Sequence, residues 1–194
     1  MSSHDARSSP TRSPSVRVAR QRFLSAAFAA AVTAAVACGG GGHPGAEWAS
    51  AAYAVLNDWS EATQALAPVP RSLPIEEQVE GAADHYLDLA NAARRAALAL
   101  EDVDPFDGAK SYHDTLIAYT SGLVLTYDQL AREAHAALTA ADLVAIQSKA
   151  ELVVRVQSSE AFVVGHRNLS QPAAEAFANT AACERWHPDS GAFD

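Results

Sequence analysis

The chain has 194 residues, with 14 basic against 23 acidic side chains and a formal charge of −9. That balance repels nucleic-acid phosphates and anionic lipid headgroups, which disfavours nucleic-acid binding and adsorption to a membrane through a basic patch. Two cysteines exclude a thiol-rich metal framework, and a single methionine, Met1, excludes a His/Met haem.

The first element in chain order is an export segment. Arg17, Arg20 and Arg22 lead into the uncharged run Phe23 to Ala37, which is shorter than the ~20 apolar residues of a spanning helix. The run closes on Ala35-Val36-Ala37-Cys38 and gives way to glycines Gly39 to Gly42, which no packed helix would tolerate. This arrangement resembles the signal peptide and lipobox of a bacterial lipoprotein, with Ala35 standing where leucine is commonest in that family. The resemblance implies that the Cys38 thiolate takes a diacylglyceryl group and that the bond after Ala37 is then cut. The mature chain would be exported and held by its lipid at the cell membrane or outer envelope.

Ala35-Val36-Ala37 also satisfies the A-x-A rule of the ordinary signal peptidase, which would cut the same bond and leave Cys38 a bare N-terminal thiol. Ala19-Arg20-Gln21-Arg22 echoes a twin-arginine signal, but Gln21 occupies the second arginine position, leaving the general unfolded-chain route. Residues 1–37 hold five of the basic residues and one of the acidic ones. The mature chain therefore carries 9 against 22, a charge of −13. Its membrane contact must come from the anchor, since two or more acyl chains give a stable attachment where one is marginal.

Residues 38–45 then read as the lipidated cysteine and a glycine-rich tether, residues 46–186 as one helical domain, and residues 187–194 as a loose tail. Within the domain apolar residues recur at helical spacing and no useful strand alternation appears, so the fold is all-α. Helix one is predicted from Ala46 to Ala67, burying Trp48, Ala52, Val55, Trp59, Ala62 and Leu66. It ends at Pro68-Val69-Pro70. Helix two runs from near Ser72-Leu73-Pro74 to Leu100, with Ile75, Val79, Ala82, Tyr86, Ala90, Ala93 and Ala97 inward.

Asp104-Pro105-Phe106-Asp107 carries a cap, an N1 proline and an acidic N3, so helix three is predicted to start there. It continues to about Leu138 with Tyr112, Leu116, Tyr119, Leu123, Leu130 and Ala134 inward. Thr139 to Asp142 is a capping box, which makes a tight turn into an antiparallel helix four carrying Leu143, Ile146, Ala150, Val153, Val156 and Val163. Ser170-Gln171-Pro172 starts a shorter fifth helix reaching about Trp186. Four long helices on short connections predict an up-and-down four-helix bundle with a shorter fifth C-terminal helix.

Chemistry-bearing motifs are scarce. There is no Cys-x-x-Cys-His, no His-Glu-x-x-His, no phosphate-binding glycine loop and no nucleophile elbow, so the domain reads as non-catalytic. Folding helices three and four about their turn places His113 and His166 at one level, where His113, Asp114 and His166 form a candidate metal site or protonation switch. Glu76, Glu80, Asp84 and Asp88 make an acidic row along helix two, a solvated face or a docking strip for a basic partner. Trp48, Tyr53, Trp59, Tyr86, Tyr112, Tyr119 and Tyr127 sit at core spacing, although tyrosine hydroxyls favour groove edges. Cys183 reads as a small buried hydrophobe, or as the disulfide partner of an unlipidated Cys38.

The expectation is a lipid-anchored, non-catalytic envelope bundle that binds a protein partner or small ligand and needs no cofactor beyond the diacylglycerol on Cys38. The second reading is a metal-binding or scavenging lipoprotein using His113 and His166.

Overall fold

In the computed structural model, which describes residues 45–186, the chain is carried by α1 (Ala46–Gln64), α2 (Ile75–Glu101), α3 (Lys110–His135) and α4 (Ala140–Ser158). A π-helical turn, Ser159–Val164, extends α4 into the short α5 (Gly165–Arg167); α6 (Gln171–Ala178) and a 3-10 helix, Ala181–Trp186, come after it. The expected signal segment, Ala37, Cys38 and residues 187–194 lie outside the described residues, within which no helix is long and apolar enough to cross a membrane.

The four long helices run up, down, up and down. Trp48 meets Tyr112 and His113 while Trp59 meets Tyr119, so α1 and α3 point the same way. Arg94 of α2 pairs with Asp128, whereas Leu100 at the end of α2 meets His113 at the start of α3, an antiparallel register. Lys149 pairs with Glu133, Gln157 bonds Thr126 and Ser158 bonds Tyr119, which sets α4 antiparallel to α3.

The packing is closest between α2 and α3. Ala83, Ala90, Ala93 and Ala97 keep α2 slim, and Leu116, Leu123 and Leu130 of α3 are buried. Burying each leucine contributes roughly 1.5–3 kcal/mol. Every residue expected to face inward on α3 does so. On α1 the expected stripe is shifted: Tyr53 and Leu56 are fully buried, whereas Val55 and Trp59 are half-buried. The reason is that α1 is covered on a second side by the C-terminal segment, where Phe177 packs on Tyr53 at 5.1 Å and Trp186 stacks on Trp59 at 6.3 Å.

The capping box forms as expected: Asp142 receives the Thr139 backbone N–H at 2.9 Å, and Thr139 Oγ1 receives that of Asp142 at 3.2 Å. Helix three, however, does not begin at Pro105. Residues 104–109 form a loop that turns the Phe106 ring onto Trp48, 5.9 Å between centroids, and α3 starts only at Lys110. Burying that ring outweighs the local cap signal.

Gly45, expected at the end of the tether, is buried instead. A Cβ there would lie 2.6 Å from Phe106 and 2.7 Å from Ala176, so only glycine admits this close approach. The fifth helix is broken in two at Asn179-Thr180, where the Thr180 hydroxyl bonds back to the Ala176 carbonyl. On α4 the inward stripe fails at Val156, which is 56% exposed, because α4 buries only Ile146 and Ala150 and the π turn then re-aims the residues beyond Ser158.

Candidate functional site

A cleft of about 580 Å³ opens where α4 faces the other three long helices, the size of a small-molecule site. Its cause is a mismatch of side-chain volume. On one wall α4 presents Ala150, Val154 and Ser158; opposite stand Tyr86 of α2, Tyr119 and Tyr127 of α3, and Trp59 of α1. Trp186 closes one end, and a second hollow of about 340 Å³ continues past His85, Tyr86 and Gln147.

The π turn holds this end in place. It carries Phe162 into the core, 5.0 Å from Tyr119 and 4.8 Å from Trp186, with Tyr119 edge-on to Trp59 at 5.9 Å. Trp186 is anchored separately, its indole N–H donating to Asn57 Oδ1 at 2.8 Å. π segments are frequent at functional sites because the extra residue re-aims the side chains beside it.

The polar groups of the cleft are unevenly satisfied. Tyr119 shares a 3.0 Å hydrogen bond with Ser158. Tyr127 and Tyr86 are 7% and 8% exposed, yet among the described residues neither hydroxyl has a hydrogen-bond partner. Those two hydroxyls keep contact with water, whereas the Trp59 indole N–H is buried without a partner among the described residues. Buried polar groups are almost always bonded, and leaving one unmade costs roughly 1–3 kcal/mol; among the described residues lining the cleft the Trp59 indole N–H is the one such group.

The phenols keep their protons. Burial pushes Tyr119 up to about 12, against a smaller opposing pull from the Ser158 hydrogen bond. Tyr127 is raised by burial and then by the neighbouring Tyr119 and Tyr86, and Tyr86 by burial and then by Glu151. At neutral pH all three keep a proton they can donate. Arg155, Arg185 and Glu151 complete the rim, with Glu151 accepting from Gln147 at 3.1 Å and the Arg185 guanidinium lying over Trp186 at 5.9 Å.

The histidines have other surroundings. His113 is buried, and its Nδ1 accepts the Trp48 indole N–H at 3.2 Å. One ring nitrogen is therefore occupied, and burial lowers its pKa despite the opposing Leu100 backbone and the Asp114 charge. Asp114, the next residue, faces solvent, and His166 packs edge-on to Phe177 at 4.6 Å. A Cβ on Gly165 would lie 2.9 Å from Tyr112, so the positions preceding His166 and His113 stand side by side. Among the described residues no group of three or more His, Cys, Asp or Glu side chains could hold a metal ion.

Glu76, Glu80, Asp84 and Asp88 are all exposed along one face of α2. Of the aromatics singled out from the sequence, Trp48, Tyr53 and Tyr112 are core, with the Tyr53 and Tyr112 hydroxyls 2.8 Å apart, while Trp59, Tyr86, Tyr119 and Tyr127 line the cleft. Trp186, Ser158, Arg155 and Arg185 were not foreseen as lining residues. Trp186 reaches the site through a chain reversal that no local pattern encodes; the other three match no motif. No protein-family model matches this chain, and no curated protein or solved structure matches it either.

Proposed function

We propose that the chain is a non-catalytic, lipid-anchored module of the bacterial cell envelope that binds a small ligand in the aromatic cleft. The observation that carries the binding half is a hollow of ligand size lined by the rings of Trp59, Tyr86, Tyr119, Tyr127 and Trp186. The addressing half rests on Ala35-Val36-Ala37-Cys38, with diacylglycerol on Cys38 as the anchor. Ring faces provide stacking surface, and the donors orient whatever enters.

A small ligand is favoured over a protein partner because the aromatic rings are gathered in a concavity, whereas the exposed apolar residues of α4, such as Leu152 and Val156, lie outside its lining. The acidic row of α2 would serve a basic partner only as a secondary contact. The test is to purify the protein from its native membrane and extract it for mass spectrometry. A stoichiometric small molecule, lost on Trp186→Ala with the helical content intact, is the expected result. Failure of the extract and of broad ligand screens to show anything bound at the cleft would end the reading.

A further inference from the structure

The cleft does not end at its own walls. His85, Tyr86 and Gln147 line both it and the second hollow, so the two, of about 580 and about 340 Å³, make one trough between α2 and α4. On α4 the lining runs from Ala140 to Ser158, a length of about 27 Å at the helical rise of roughly 1.5 Å per residue. Spread over that length the two volumes leave a channel about 6–7 Å across, where a helix with its side chains is about 10–12 Å wide. A partner helix is too broad to sink into it, whereas a single extended chain fits.

The lining indicates what kind of chain. Ala82 and Leu143 in the second hollow, and Trp59, Leu89 and Val154 in the first, pack against the core yet stay half-buried, so part of their apolar surface is left uncovered along the trough. The charged side chains of the lining, Arg71, Glu151, Arg155 and Arg185, are all exposed, which puts charge at the solvent edge of an apolar floor. A compact ring would cover one hollow and leave the apolar surface of the other in water. A linear chain covers both.

We propose that the trough holds one long linear alkyl chain, the acyl chain of a fatty acid or of a membrane lipid, lying along α4. This rests on the cleft being a ligand site. The acyl chains of one bilayer leaflet span about 15 Å, half of the ~30 Å hydrocarbon core, so the trough takes a whole chain and leaves room for the group that carries it. Each methylene that leaves water there raises affinity by up to about fourfold, the equivalent of about 0.8 kcal/mol.

The test is calorimetric titration of the full chain, kept in a steroid-based detergent that has no alkyl chain to compete, with octanoate, laurate, palmitate, palmitoyl lysophosphatidylcholine and, as a compact ring, 2-naphthoate. Affinity is expected to climb about two- to fourfold per added methylene from octanoate to palmitate. Palmitate binding more tightly than the lysolipid makes the free fatty acid the source of the chain, and the reverse order makes it a membrane lipid. Ala82→Phe, which fills the second hollow, and Val144→Glu, which puts a charge into it at a position 50% exposed, should each weaken palmitate about tenfold or more and leave octanoate unchanged. An affinity independent of chain length, naphthoate bound as tightly as palmitate, or palmitate untouched by both variants would overturn the alkyl-chain class while leaving the cleft a site for a compact ligand. If none of the five binds, both the class and the site reading fall.

Discussion

Trp48 donates its indole N–H to Nδ1 of His113 across 3.2 Å, tying the first turn of α1 to the first turn of α3. The bond requires His113 neutral, because a protonated imidazole has no acceptor to give. Burial holds the folded pKa below the ordinary value of about 6.5, so between the two values the unfolded chain binds more protons. This contribution to stability is complete above about pH 6.5 and is lost as the pH falls through the lowered folded value. The urea midpoint should drop between pH 7.5 and pH 5, and the drop should be shallower in His113→Gln; an unchanged slope in that variant would show that other groups set the acid limit.

Gly165→Ala should destabilise the bundle although alanine is the better helix former by roughly 1 kcal/mol. The added Cβ would lie 2.9 Å from the buried Tyr112 ring, whose hydroxyl is held by Tyr53. Overpacking of about 1–3 kcal/mol outweighs the propensity gain, for a net loss of about 1 kcal/mol. Equilibrium unfolding measures it, and a more stable variant would mean that α5 swings away freely.

Thr139→Ala removes one half of the capping box that starts α4 and should cost about 1 kcal/mol. The Asp142 carboxyl is held below its ordinary value first by the Thr139 side chain, then by the Leu138 and Thr139 backbone N–H groups. NMR titration should show the Asp142 pKa rising in the variant. A value that stays put would assign the effect to the backbone donors alone.

Cys183 is a free, fully buried thiol, pushed up to about 12 by burial. Because thiolate is the reactive form, a maleimide should leave it unmodified at pH 7 in the folded chain and label it in denaturant. Rapid labelling under native conditions would place the 3-10 helix among segments that open easily.

Cys38→Ser should abolish lipid mass at the mature N-terminus and move the protein from the membrane to the soluble fraction. Because both peptidases would cut after Ala37, the mass of the N-terminal peptide is the decisive reading and cleavage is not. Retention in the membrane without Cys38 would transfer the anchoring to the uncleaved apolar run Phe23 to Ala37.

Much of the bundle was readable from spacing. The inward stripe of α3, Tyr112 to Ala134, and the capping box at Thr139 are local patterns, written within one or two helical turns, and they fold as written. The loop at residues 104–109 reads as a helix start because its cap residues are local, whereas the pull on Phe106 comes from Trp48, far away in sequence. The same distance separates Trp186 from Trp59 and Asn57, which is why the end wall of the cleft left no trace in the pattern.

Helical period, charge and the Ala35 to Cys38 pattern were properties of neighbours along the chain, and so the all-α class and the expected address could be read from the string alone. Which aromatics are core and which line a hollow depends on what volume stands opposite each one. Tyr112 meets Gly165 and Tyr53 and is sealed in; Tyr127 shares a cleft with Ala150 and Val154. That difference arises only when helices meet, because complementarity of volume and hydrogen bonding is a relation between surfaces and has no counterpart in either segment alone.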